Sequence, residues 1–166
     1  MEGGPGVDHR RLDEALDILE RAWTGEPFSY TGTHHAVENL VFRPTPVQQP
    51  RIPVRVVGRW PAPRSMNRTI AWDGVMPQVR GRSPEEPLSP ADVAEVAAWV
   101  SEHRTATTPF DVIVAGVLPD GPTAAAAHAR AMADAGATWW VESRWDIERD
   151  TPEVLLDRIK QGPPGA

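Results

Sequence analysis

Two stretches gather side chains that could do chemistry. The first, VRVVGRWPAPRS over residues 54–65, runs four strand-suited residues into Gly58, Arg59 and Trp60, with a helix starting near Ser65. A glycine at a strand end lets the backbone approach a ligand closely. An arginine offers a charged planar fork that matches phosphate or carboxylate. Ser65 and the amides after it can form an anion site at a helix start. Gly58, Arg59, Trp60 and Ser65 are therefore candidate ligand-binding residues. The alternative is a tight turn at Gly58, a solvated Arg59 and a Trp60 packed on its own loop. The second stretch, WWVESRW over residues 139–145, carries Glu142, Arg144 and Trp145. These can line a pocket. Alternatively Glu142 and Arg144 pair with each other and Trp145 covers a rim, and this is the favoured reading. Gln78, just after another strand, is a further pocket candidate.

Other chemistries find little support. His34 and His35 are adjacent, so in a strand they point to opposite faces and make a poor chelate, and nothing nearby completes a metal set. His9, His103 and His128 stand alone on predicted helices. There is no Ser/His/Asp constellation, P-loop or GxGxxG. No metal is expected.

The elements that must position these residues alternate. A helix is predicted over residues 8–24, with Leu12, Leu16, Leu19 and Trp23 at helical spacing. Arg10, Asp13, Glu14, Asp17 and Glu20 fill its other faces, Asp8 can cap it and Gly25 can stop it. Phe28, Tyr30 and Gly32 suggest a small hairpin of imperfect alternation. A proline-rich connector leads to strands beginning near residues 54, 74, 111 and 138. Helices follow them over about residues 65–72, from Ser89 to about Arg104, over 122–135, and from Thr151 and Pro152 through Ile159. Ser89, Pro90 and Asp92 form a helix-start signature. Four strand–helix units imply parallel pairing with right-handed crossovers. They suit an open doubly wound sheet or half of a (β/α)8 barrel, since a whole barrel needs about 250 residues.

The 166 residues are enough for one domain with a real core. With 40% apolar and 24% charged residues, the chain reads as globular. A net charge of −6 without a Lys/Arg cluster argues against nucleic acid and anionic membrane as partners. No apolar run approaches the about 20 residues of a membrane span. The start MEGGPGVDHRR lacks a signal-peptide core. The absence of cysteine rules out disulfides and thiolate–metal sites and fits a cytoplasmic setting.

RLDEALDILERAWTGEPFSYTGTHHAVENL, then RPTPVQQPRIPVRVVG, WDGVMP and GATWWVESRW, resemble in order the motifs of the luciferase-like monooxygenase family. The resemblance runs from about Arg11 to Ile159. It implies the C-terminal half of a (β/α)8 barrel, with about four parallel strands, flanking helices and a small hairpin. Residues 1–166 would be one partial barrel domain with an ordered core of about 8–162, lacking a counterpart of the family's first four strands. It also implies reduced FMN or the deazaflavin F420 as cofactor and a small organic substrate, with hydride transfer or O2 activation as the chemistry. Gly58 and its neighbours would contact the cofactor, Arg59 through a phosphate or the acidic F420 tail. Gly58 is followed here by Arg59 and Trp60, where many members place a second glycine and small or hydroxyl residues. Catalytic residues are not singled out, because the chemistry belongs mainly to the cofactor. If Trp140 faces a barrel interior, Trp139 and Val141 face the helices.

Two other functions compete with this oxidoreductase. One is an inactive half-barrel that binds cofactor weakly or associates with a second copy, as a homodimer, to cover its open edges. The other is a carbohydrate binder that stacks sugars on some of its seven tryptophans.

Overall fold

The chain, described here from a computed structural model over residues 9–83 and 86–164, forms two compact units, Met1–Pro53 and Val54–Ala166. In the first unit the apolar periodicity becomes helix α1 (Arg10–Ala22), which buries Leu16 and Ala22 and leaves Leu12 and Leu19 half-exposed. Gly25, at φ +73°, turns the chain away from the helix end. Asp8, the expected cap, lies outside the described residues. Strands β1 (Phe28–Thr31) and β2 (Ala36–Leu40) pair antiparallel, with an irregular register between Phe28 and Tyr30 that accounts for the imperfect alternation.

Glu14 has a role that its helix position does not reveal. It lies among the charged residues on the faces of α1 away from the apolar stripe, yet it is buried. The hairpin turn aims three successive amides at it: Thr33 N–H donates to Oε1 at 2.8 Å, and His34 and His35 N–H donate to Oε2 at 2.9 Å each. Burial works against its ionisation, but these amides outweigh burial and hold its pKa below the ordinary value. A Cβ at Gly32 would run into this carboxylate.

The second unit is a four-stranded parallel sheet in the order β3 (Arg55–Trp60), β4 (Gly74–Val79), β5 (Asp111–Gly116) and β6 (Trp139–Glu142). Helices α2 (Pro63–Ile70), α3 (Pro90–His103), α4 (Pro122–Asp134) and α5 (Pro152–Gln161) follow the strands in turn. Sequential strands lying side by side, each followed by a helix, make a partial (β/α)8-type barrel. Alternation divides the sheet into two faces. Val75, Val112 and Val114 meet Met66 of α2, Val93, Val96 and Val100 of α3, and Met132 of α4 in one buried core, and Val56 is buried on the same side. The Ser89 signature is a full capping box: the Ser89 side chain accepts from Asp92 N–H, and the Asp92 carboxylate accepts from Ser89 N–H.

Two expectations are corrected here. Strand β3 does not end at Val57 but continues through Gly58 and Arg59 to Trp60. Helix α2 begins at Pro63 with Ala62 as its cap, so Ser65 lies inside the first turn rather than at the start. Among the described residues no helix is long and apolar enough to cross a membrane.

Candidate functional site

Because β3 runs on to Trp60, alternation fixes where the candidate residues point. Val56, Gly58 and Trp60 share the helix side, while Arg55, Val57 and Arg59 share the open side. The strand register places Arg59 beside Gln78 and Val57 beside Met76. Arg59 and Gln78 line one cleft of about 370 Å3 at the C-terminal ends of the strands, with Met76, Pro77, Leu88 and Ala115. The cleft lies where β4 and β5 part. Their pairing covers only Gly74–Asp111 and Val75–Val112, whereas β3 and β4 pair over six residues. Pro77, two residues on, has no N–H with which to extend a ladder.

The cleft's charges differ in how they are held. Arg82, on its wall, donates from two nitrogens to the Asp92 carboxylate at 2.8 and 3.1 Å. The hydrogen bond from Arg82 is the main cause that takes Asp92 down to about 2, with burial opposing and Ser89 assisting. Arg82 is thus a structural clamp on the helix cap. The Arg59 guanidinium, by contrast, is exposed and has no ion-pair partner among the described residues.

The other candidates lie elsewhere. Gly58 faces α2 rather than the cleft. A Cβ there would come 2.6 Å from Val75 Cγ2 and 3.0 Å from both Met66 Sδ and Thr69 Cγ2, so its smallness serves helix-to-strand packing. Trp60 turns to α3, donating from Nε1 to Glu95 at 3.2 Å and meeting Trp99 edge-on at 6.2 Å. The Ser65 hydroxyl accepts from Arg59 N–H at 2.9 Å, which ties the strand end to α2.

Glu142 and Arg144 come together, as a network. Arg144 Nε meets Glu142 Oε1 at 2.9 Å, Arg158 approaches the same oxygen at 3.5 Å, and Trp140 Nε1 and Leu118 N–H reach Oε2 at 3.2 and 3.3 Å. Burial disfavours the charged carboxylate, but these donors outweigh it and lower its pKa. Arg144 also reaches Asp150 at 3.4 Å. Such a closed network anchors α5 and the loop after β5, as the internal-pair reading has it. Arg144 and Arg158 also line a second cavity of about 490 Å3 near Gly121 and Pro164. Trp140 faces the helices, edge-on to His128 at 5.1 Å, and so Trp139 and Val141 point to the open side. This reverses the orientation that an inward Trp140 would give.

Met76, Leu88 and Ala115 were not legible as cleft residues. Met76 comes to the cleft through its register with β3, and Leu88 and Ala115 through tertiary packing, neither of which a local pattern carries. Among the described residues no cluster of three His, Asp or Glu could hold a metal ion.

No curated protein matches the chain. The sequence model of the luciferase-like monooxygenases matches residues 5–160, nearly the full length, and the parallel strand–helix order agrees with that family's barrel. The chain belongs to the luciferase-like monooxygenase family.

Proposed function

We propose that this chain is the cofactor-binding half of a luciferase-like oxidoreductase, and that its rim cleft receives the anionic end of reduced FMN or F420. The family generally uses one of these two cofactors. The observation that carries the reading is Arg59: a guanidinium without an ion-pair partner among the described residues, beside Gln78, in a cleft at the C-terminal ends of parallel strands. That end is where barrel enzymes bind their ligands. The cleft volume of about 370 Å3 falls within the about 300–1,000 Å3 of small-molecule sites.

The residues present suit such a cofactor in two respects. Arg59 offers a charged fork for a phosphate or an acidic tail, and Gln78 offers an amide that can donate or accept. Met76 and Ala115 supply an apolar wall on the open side, where a ring system would lose water. When bound, the reduced cofactor supplies a hydride or activates O2 on a small organic substrate. The chain's own part is to hold the anionic end and to orient the ring.

The experiment is a titration of the purified chain with FMN and with F420, followed by tryptophan fluorescence. Saturable quenching by one cofactor names it. Arg59→Ala should then weaken binding about tenfold to a hundredfold, the worth of a charge-assisted contact. Quenching by neither cofactor, from a folded sample, would refute the reading.

A further inference from the structure

We infer that two copies of this chain associate about a two-fold axis parallel to the strands, each covering the open face of the other's sheet and closing an eight-strand barrel. The inference does not rest on the cofactor reading.

The sheet is finished on one side only. Its helix side buries a continuous core, with Val75 and Val93 0% exposed. Its open side carries Val57, Trp139 and Val141 at 50, 54 and 41% exposure. Helix α5, beyond β6, has no buried residue, and Leu156 and Ile159 are 51 and 73% exposed. At about 150–250 Å2 per large side chain, these five expose roughly 500 Å2 of mainly apolar surface. With the strand edges and a polar rim it approaches the about 800 Å2 per partner of a stable interface.

The edges select the occupant. Strands β3 and β6 each have one sheet neighbour among the described residues, and neither carries lysine or proline to block its free edge. All four strands are parallel. A two-fold axis along them therefore sets β6 of one copy parallel to β3 of the other at both seams, which is an isologous and closed arrangement. Four strands from each copy make eight, the number at which a barrel's inward side chains just fill its interior. Both rim clefts then open at the same end.

Sedimentation of the purified chain without cofactor should give a species of twice 18.2 kDa. Val141→Glu places a charge on the open face and should weaken association at least about a hundredfold. Leu156→Glu should weaken it as well. Val47→Glu, on the connector of the first unit and already 92% exposed, should leave it unchanged. Far-UV circular dichroism and urea unfolding establish that each variant is folded. A folded monomer across a wide concentration range would overturn the inference and leave the face to a different chain. Open-ended oligomers would overturn closure. A dimer that Val141→Glu and Leu156→Glu leave intact would overturn the assigned face.

Discussion

Gly58 separates two accounts of the strand end, one in which a glycine admits a ligand and one in which it admits a helix. The structure favours the second, and Gly58→Ala tests it. An added Cβ would lie 2.6 Å from Val75 Cγ2, against the about 3.5–4.0 Å of a relaxed carbon contact. Met66 Sδ, at 3.0 Å, can swing aside on a flexible chain. Val75 cannot, being 0% exposed and hemmed by the core. Overpacking of this kind costs about 1–3 kcal/mol. The strand backbone at Gly58 accepts alanine, so the lost freedom of the unfolded chain returns about 0.4–1 kcal/mol. The net expectation is a loss of about 1–2 kcal/mol. With a urea slope of about 2 kcal/mol/M, the unfolding midpoint falls by about 0.5–1 M. Val75→Ala removes the nearest methyl, so in the double variant the new Cβ occupies the space that Val75 vacates. The double should be less destabilised than the sum of the singles by about 1 kcal/mol or more. If Gly58→Ala is as stable as the parent, or the pair is additive, the packing argument fails. Intact stability with lost cofactor binding would restore the ligand account.

Asp92 gives a pH signature. Its folded pKa of about 2 lies below the reference 3.8, so its contribution is complete above about pH 4 and is lost as pH falls towards 2. The difference amounts to at most about 2 kcal/mol, less what solvent screens at the Arg82 side chain, which is 35% exposed. Asp92→Asn should flatten the stability profile between pH 4 and 2, and equal slopes for the two proteins would contradict the assignment. Glu14→Gln should loosen the hairpin turn, because an amide cannot present two acceptor oxygens to three N–H donors. Hydrogen exchange at Thr33, His34 and His35 should accelerate, and unchanged protection would count against the Glu14 cradle.

The fold was legible where signals are local. Strand starts near 54, 74, 111 and 138 fall within a residue of the observed ones, and Ser89 with Asp92 announced the box that forms. What failed depends on distant partners. Gly58-Arg59-Trp60 looks like a loop until Gly58 and Trp60 are seen to continue the buried parity of Val56 across to α2 and α3. The burial of Glu14 has no local signal, because the amides that hold it come 19 to 21 residues later. Trp140 points to the helices because its register partner Val114 does. Of the candidate site, Arg59 and Gln78 converge through a parallel register that neither residue's neighbourhood encodes.

The cofactor reading and the paired barrel are separate claims, but they make a joint prediction through linkage. In a closed pair the open face of one copy lies opposite the apolar wall of the other copy's cleft, formed by Met76 and Ala115. A ligand that touches only Arg59 and Gln78 ignores that wall, and its affinity is then independent of protein concentration. A ligand whose ring lies between the two sheets binds the pair better than the single copy. By reciprocity it tightens the pair by the same factor. At a hundred times its dissociation constant, a ligand exclusive to the dimer stabilises it by about 2.7 kcal/mol per site, about a hundredfold. Titration of the parent and of Val141→Glu with the cofactor that binds, at low and high protein concentration, distinguishes the cases. The expected result is weaker binding by Val141→Glu and tighter binding by the parent as its concentration rises. Superimposable curves would confine the site to one copy's rim, held by Arg59 alone, and would leave the association without a part in the chemistry.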